Sequence, residues 1–214
     1  GMSADASVTT QVALVTGAAS GIGRACVQAW MARGAAVVGL DVAADVTEMH
    51  AGRPDFLGLV CDVTDAVALE GAIERGVLRF GGLDMLVLNA GMFPPGRRIA
   101  ELGGEEWRSV MRLNLDANLA AMRLAHPLLR LAPKGGRVVM MGSKNVPAPG
   151  MGAAAYSASK AGLTQLARVA ALEWAGDGIR VNTLHPNAVF DTGIWTPEVL
   201  QARGRRLSLE EQMI

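Results

Sequence analysis

The sequence predicts a single α/β domain whose parallel sheet is doubly wound, with helices on both faces. Short apolar runs alternate with helical segments of ten or more residues, which is the pattern of right-handed βαβ units. The first run ends in a glycine cluster that leads directly into a helical pattern. Of the 214 residues, 50% are hydrophobic but only 4% are aromatic, and 26 are glycine. This composition is typical of a Val, Leu and Ala sheet with closely packed helices.

Six apolar runs are predicted to be strands, and they span 12–16, 36–40, 57–61, 85–88, 137–141 and 179–184. Four segments have apolar residues at helical spacing, and they span 22–32, 63–80, 105–131 and 153–174. Asp65 is expected in the first turn of the second helix, and Pro127 is expected to kink the third. After Pro186 the pattern weakens to a loop and one or two short helices.

The length favours one large domain, because a typical domain has about 150 residues. Residues 1–11 are interpreted as a tag scar and a flexible tail, since Gly1 precedes Met2 and no apolar leader follows. Residues 12–214 are assigned to the predicted domain, with a substrate loop over about 186–214.

Charge and residue spacing argue against several functional classes. Twenty basic residues balance twenty acidic ones, so neither a nucleic acid nor an acidic membrane is an expected partner. Cys26 and Cys61 lie far apart and the three histidines lack ligand-like spacing, so no disulfide scaffold and no metal site is predicted. No apolar run reaches the ~18 residues that a membrane span requires. We therefore expect a cytoplasmic protein with free thiols.

A glycine-rich turn joins the first strand to the first helix. Gly17, Gly21 and Gly23 let the backbone turn tightly and approach a pyrophosphate, whose charge the helix N-terminus favours. The alternative is a tight turn that only packs the helix closely. Asp41 ends the second strand, 18 residues after Gly23, where a carboxylate binds the adenosine ribose and repels a 2′-phosphate. The nearby Ser20 is neutral, so Asp41 predicts NAD rather than NADP as the cofactor. The alternative interpretation of Asp41 is a strand-end cap.

A second group of candidate residues is centred on Tyr156, the one tyrosine of the chain. Lys160 follows four residues later on a predicted helix and therefore shares its face. A nearby ammonium favours the phenolate, so Lys160 is expected to lower the pKa of Tyr156 and make it an acid/base group. Ser143, at the end of the fifth strand, is placed to hydrogen-bond the same substrate oxygen. The alternatives are an amphipathic core tyrosine and a solvated lysine.

In order and spacing, these motifs resemble those of the short-chain dehydrogenase/reductase family, from Val12 to about Thr196. The resemblance rests on the glycine turn, Asp62-Val63, Asn89-Ala90-Gly91, Asn114, Ser143 and Tyr156-x-x-x-Lys160. It implies a Rossmann fold, a nicotinamide cofactor and a catalytic tetrad of Asn114, Ser143, Tyr156 and Lys160. The cofactor-binding residues that it implies are Gly17, Ser20, Gly21, Ile22, Gly23, Asp41, Asp62, Val63, Asn89, Ala90, Gly91, Tyr156, Lys160, Pro186, Val189 and Thr192.

The resemblance also implies a role for each member of the tetrad. Tyr156 is the acid/base group, Ser143 orients the substrate oxygen, and Lys160 binds the nicotinamide ribose. Asn114 supports a water that relays protons. Asn114 is assigned on the resemblance alone, because an asparagine in the middle of a helix more often points to solvent.

Two departures from the family pattern concern the end of the chain. Pro186-Asn187 stands where the family usually has Pro-Gly, although Thr192 remains in place to meet the nicotinamide carboxamide. The sequence ends at Ile214, before the final helix and strand of the family's sheet. We therefore expect a sheet without its last strand.

A closer resemblance links the segments 143–150 and 185–195 to the dehydrogenase half of bifunctional rhamnulose-1-phosphate aldolase/short-chain dehydrogenases. It implies lactaldehyde as a candidate substrate, with Lys144 and Asn145 lining the substrate pocket, while a solvated turn fits these two residues equally well. The predicted function is an NAD-dependent oxidoreductase for a small alcohol or carbonyl compound, working as a homo-oligomer, either dimer or tetramer. The alternative is a nicotinamide-binding module without turnover.

Overall fold

The computed structural model describes residues 11–187 and Glu198. In that part of the chain the strands are β1 (Val12–Thr16), β2 (Ala36–Asp41), β3 (Phe56–Val60), β4 (Met85–Leu88), β5 (Gly136–Met141) and β6 (Ile179–Leu184). The α-helices are α1 (Gly21–Ala32), α2 (Ala66–Phe80), α3 (Gly104–Met111), α4 (Ala117–Leu129) and α5 (Ala154–Trp174). Short 3₁₀ turns cover Ala44–Thr47, Ile99–Glu101 and Ala175–Asp177.

The six strands form one parallel sheet in the order β3-β2-β1-β4-β5-β6. β1 is central, and its Leu14 pairs with Val38 on one side and with Leu86 on the other. The chain runs outward from β1 to β3 and then returns to start the other half at β4. The predicted doubly wound fold is confirmed.

The sheet is buried on both faces, as the apolar strands predict. Successive side chains of a strand point to opposite faces, so Leu14 packs in one core cluster and its neighbours Ala13 and Val15 pack in another. The Leu14 cluster includes Leu69 of α2, and the Val15 cluster includes Val27 of α1. Helices therefore cover both sides and leave the strand ends as the accessible edge of the sheet.

Several predicted element boundaries are wrong by a few residues. The third strand spans Phe56–Val60 rather than 57–61. The second helix begins at Ala66 rather than at Val63, because Asp65 is its N-cap, and the carboxylate accepts hydrogen bonds from two first-turn amides at 3.1 Å each.

The predicted long helix over 105–131 is in fact divided. A π-helical turn, Arg112–Asp116, separates α3 from α4, and Pro127 lies inside α4. The predicted elements after residue 187, and with them the question of a last strand, lie outside the described residues. Across 11–187, no helix has both the length and the apolar character needed to cross a lipid bilayer.

Candidate active site

The carboxyl ends of β1, β2, β4 and β5 meet at one edge of the sheet, and the strand order reverses between β1 and β4. Ligands of doubly wound folds bind at this position, because the loops leave the sheet in opposite directions there and open a crevice. Gly17, Asp41, Asn89 and Ser143 all stand at or just after these strand ends. The structure therefore brings both groups of predicted site residues to the same edge.

The glycine turn has a backbone that only glycine adopts easily. Gly17 and Gly21 have φ values of +65° and +55°, and a Cβ on Gly23 would lie 2.0 Å from the carbonyl oxygen of Gly17. Ser20 is the N-cap of α1, but its side chain makes no capping hydrogen bond, while Ile22 packs into the core. The first amides of α1 thus face the turn without a side-chain cap, and this arrangement fits a pyrophosphate.

Asn89, just after β4, and Thr16, the last residue of β1, brace the glycine turn. The Thr16 hydroxyl oxygen accepts hydrogen bonds from the backbone amides of Asn89 and Ala90, both at 2.9 Å. The Asn89 side-chain amide donates to the carbonyls of Thr16 and Gly17, both at 3.2 Å. Asn89 therefore shapes the predicted cofactor site through the turn. Thr16 directly precedes the glycine turn, and sequence reasoning did not predict this role for it.

Asp41 connects β2 to the same turn. Its carboxylate accepts hydrogen bonds from the backbone amides of Ala19 at 2.9 Å and Ala43 at 3.0 Å. The strand-end cap considered from the sequence is therefore present. A carboxylate has about four acceptor sites, so the cap leaves capacity for ribose hydroxyls.

Asp62 and Val63 follow β3, and their environments differ. Asp62 is exposed, and its Oδ1 accepts hydrogen bonds from the Thr64 amide at 2.9 Å and the Thr64 hydroxyl at 2.7 Å. These hydrogen bonds lower the pKa of Asp62. The Val63 side chain is buried in the core. Any contact of Val63 with an adenine would therefore involve its backbone.

Asn114 lies in the π-helical turn and has no exposed surface. Its Oδ1 accepts a hydrogen bond from the Met92 amide at 2.9 Å, and its Nδ2 donates to the Met92 carbonyl at 3.0 Å and to the Ser159 hydroxyl at 3.2 Å. The Asn118 side chain donates to the Asn114 carbonyl at 2.8 Å. The general tendency of helical asparagines to face solvent is not followed here, because hydrogen bonds to Met92 and Ser159 hold the Asn114 side chain in the interior. Sequence reasoning did not identify Asn118.

Ser143 follows β5 and is 4% exposed. Its hydroxyl oxygen accepts a hydrogen bond from the Asn145 amide at 3.1 Å. The Asn145 side chain is itself buried, and its Oδ1 accepts from the Gly150 amide at 3.0 Å. Asn145 therefore braces the loop that leaves Ser143. Lys144 is partly buried, and its amide donates to the Pro186 carbonyl at 3.3 Å.

Tyr156 and Lys160 share one face of α5, directly beside Ser143. The Tyr156 side chain interacts with Ser143, and the Phe93 ring packs edge-on against the Tyr156 ring with centroids 4.5 Å apart. Lys160 is 6% exposed. Its Nζ donates to the Met141 carbonyl at 2.7 Å and lies 5.8 Å from the centre of the Tyr156 ring.

The pKa values of this pair are governed by burial. Burial raises the pKa of Tyr156, and the hydrogen bond with Ser143 opposes that rise. Burial also lowers the pKa of Lys160 to about 8. The expected lowering of the Tyr156 pKa by Lys160 is not found, because desolvation dominates and the ammonium is directed at the Met141 carbonyl. Of the remaining predicted cofactor residues, Val189 and Thr192 lie outside the described residues.

The family of the chain follows from comparison with known proteins. The model of the short chain dehydrogenase family matches residues 11–202. The chain belongs to the short-chain dehydrogenase/reductase family. It is therefore an oxidoreductase of that family, and its fold together with a similar structure that holds NADH supports a nicotinamide cofactor.

The chain is similar to two curated dehydrogenases and to one solved reductase structure. D-threitol dehydrogenase of Mycolicibacterium smegmatis is 36% identical over 84% of this chain and 70% of its own length. Cis-4-hydroxycyclohexanecarboxylate dehydrogenase of Sinomonas cyclohexanicum is 38% identical over 82% of this chain and 72% of its own length. The 3-ketoacyl-(acyl-carrier-protein) reductase of Brucella melitensis, complexed with NADH, superposes with a TM-score of 0.80 at 26% identity, over 84% of this chain and 76% of that one. None of these names mentions an aldolase.

Proposed function

We propose that this chain is an NAD-dependent oxidoreductase that transfers a hydride between nicotinamide and a small alcohol or carbonyl compound. The observation that carries the proposal is the placement of the Tyr156 side chain beside Ser143, at the sheet edge that also holds the glycine turn. Two adjacent hydroxyl groups offer paired contacts to one substrate oxygen. When bound, the nicotinamide supplies or accepts the hydride, and the residues of the chain handle orientation and the proton.

Tyr156 moves the proton at its hydroxyl oxygen. In carbonyl reduction the neutral phenol donates this proton to the substrate oxygen, and in alcohol oxidation the phenolate accepts it. Burial raises the pKa of Tyr156, so the neutral phenol dominates near pH 7. Reduction is therefore favoured near neutral pH and falls as the pH rises, whereas oxidation rises with pH as the phenolate forms. Ser143 orients the substrate oxygen.

Lys160 is the proposed contact for the nicotinamide ribose. A Cβ on Gly91 would lie 3.7 Å from Lys160 Nζ and 3.3 Å from Asn114 Oδ1. The missing side chain at Gly91 thus leaves room beside both polar groups. Asn114 holds the segment after β4 through its two hydrogen bonds to Met92, and this fixes the wall of the proposed cofactor site. We also propose that a water that relays protons binds near Asn114.

The proposed preference for NAD depends on Asp41. A carboxylate repels the 2′-phosphate of NADP, and the adjacent Val42 is an exposed apolar residue that offers no compensating charge. Asp41→Asn keeps an acceptor for the Ala19 amide and removes the charge. We expect the ratio of NADPH to NADH dissociation constants to fall roughly tenfold, measured by fluorescence titration. Asp45→Asn, in the following 3₁₀ turn, is the matched control, and an unchanged ratio in Asp41→Asn contradicts the assignment.

The proposed substrate is a compact molecule with a hydroxyl or carbonyl group. A cavity of about 140 Å³ lies against Tyr156 and is lined by Phe93, Pro94, Met151 and Ala153. Relatives named for threitol and for hydroxycyclohexanecarboxylate support small secondary alcohols, and lactaldehyde stays a candidate from the narrower resemblance to the aldolase fusions. We also propose a homo-oligomer, supported by apolar residues exposed on α4 and α5, among them Leu119 and Leu172.

The experiment that tests the function compares the wild type with Tyr156→Phe. NADH formation is followed with NAD and a panel of threitol, hydroxycyclohexanes, lactaldehyde and other small secondary alcohols. Phe keeps the ring that packs on Phe93 but removes the proton carrier, so kcat/KM should fall by about 10²-fold or more while NADH affinity stays within twofold. Retained turnover in Tyr156→Phe refutes the mechanism. If the wild type binds NADH but turns over no compound of the panel, the result favours the binding-module alternative.

A further inference from the structure

The backbone that carries Ser143 is held by the last residue of β6 and by the residue after it. Beyond the end of β5, the Gly142 amide donates to the Leu184 carbonyl at 2.6 Å. The next residue of that segment, His185, directs its imidazole at Ser143 itself. Its Nδ1 lies 3.2 Å from the Ser143 amide nitrogen and 3.1 Å from the Ser143 carbonyl oxygen. One ring nitrogen therefore faces both backbone polar groups of the same residue.

Glycine at position 142 makes this approach possible. A Cβ on Gly142 would lie 2.6 Å from His185 Nδ1 and 2.8 Å from the neighbouring ring carbon. These distances are shorter than any allowed nonbonded contact, so a side chain at position 142 would clash with the imidazole ring and displace it. The imidazole occupies the space that Gly142 leaves open, and that space leads to the Ser143 backbone.

We infer that His185 is a positioning residue for Ser143, an inference that rests on the function proposed above. With its proton on Nε2, the imidazole accepts a hydrogen bond from the Ser143 amide, and with its proton on Nδ1 it donates to the Ser143 carbonyl. Both tautomers hold the same residue. The Ser143 hydroxyl is fixed separately by the Asn145 amide, so its orientation depends on both contacts. His185 acts through Ser143 and does not touch the reacting atoms.

Three variants separate positioning from general stability. His185→Ala removes both contacts. His185→Asn places an amide oxygen or nitrogen near the position of Nδ1 and is expected to restore one hydrogen bond. Arg180→Ala changes an exposed residue near the start of β6, the strand that precedes His185, and serves as the matched control. The melting temperature of each variant is recorded alongside.

Two readouts are measured on the full chain. Hydrogen exchange of the Ser143 amide, followed by NMR, reports the contact without requiring turnover. It should accelerate roughly tenfold in His185→Ala and stay within about threefold of the wild type in His185→Asn and Arg180→Ala. The second readout is kcat with the best substrate of the panel. It should fall roughly tenfold in His185→Ala, recover in His185→Asn and stay unchanged in Arg180→Ala. NADH affinity should be the same in all three variants.

The outcomes separate this inference from the proposed function. Unchanged exchange in His185→Ala overturns the inference, and so does faster exchange with unchanged kcat. Failure of His185→Asn to restore both readouts also counts against it, because the contact would then not be the cause. If the wild type turns over nothing, the proposed function fails, and the exchange measurement alone decides whether His185 holds Ser143.

Discussion

Replacing Lys160 with methionine tests the burial of the ammonium beside Tyr156. Lys160 is 6% exposed, and burial lowers its pKa to about 8. An exposed lysine has a pKa of about 10.4, so the folded protein binds this proton more weakly than the unfolded chain does. The stability of the wild type should therefore increase, relative to Lys160→Met, as the pH rises above 8.

The size of the effect follows from the two pKa values. Between them, the unfolded chain keeps a proton that the folded protein has lost, and the free energy of unfolding rises with pH. A difference of about 2.4 pKa units at about 1.4 kcal/mol each gives about 3 kcal/mol, of which about 2 to 3 kcal/mol falls between pH 7 and pH 10. The neutral amine still donates to the Met141 carbonyl, so losing that hydrogen bond shifts the variant equally at every pH.

The assay is urea unfolding of the cofactor-free protein, followed by tryptophan fluorescence at pH 7, 8, 9 and 10. Only the difference in the free energy of unfolding between wild type and variant is used, because the contributions of titratable groups common to both then cancel. Lys134→Met, at an exposed lysine, is the matched control and should give a much smaller change with pH. Parallel stability curves for wild type and Lys160→Met would refute the reasoning, since the Lys160 proton would then be bound equally in the folded and unfolded states.

Two further substitutions test the turn and a helix cap. In Gly23→Ala, the new methyl group would lie 2.0 Å from the Gly17 carbonyl oxygen, so NADH affinity by calorimetry should fall at least about tenfold. Gly71→Ala, which meets nothing within 4 Å, should leave it unchanged, and equal affinities would contradict the close fit of the turn. Asp65→Ala removes the N-cap of α2 and should cost about 1 kcal/mol in urea unfolding. The exposed Glu74→Ala on the same helix should cost less than about 0.5 kcal/mol, and an equal loss in both would argue against the cap.

The main elements were predictable because their signals are local. β1 is buried on both faces and reads as a continuous apolar run, Val12–Thr16, which ends at a glycine that needs a positive φ. The helix boundaries were less predictable, since Asp65 fits either the first turn or the cap until the backbone at that residue is known. The burial of Asn114 was not predictable from neighbouring residues, because its side chain is held by hydrogen bonds to Met92 and Ser159, which lie 22 and 45 residues away.

The sequence by itself determined the fold class, the family and the identity of most candidate residues, because periodicity and motif spacing are properties of neighbouring residues. Only the tertiary structure decided how these residues are used. It turned the Asn89 amide onto the glycine turn and directed Lys160 at the Met141 carbonyl. It also placed His185 against Ser143, 42 residues away. Such contacts form because the sheet brings strand ends that are distant in sequence to one edge. Burial of the side chains at that edge raises the pKa of Tyr156 and lowers the pKa of Lys160.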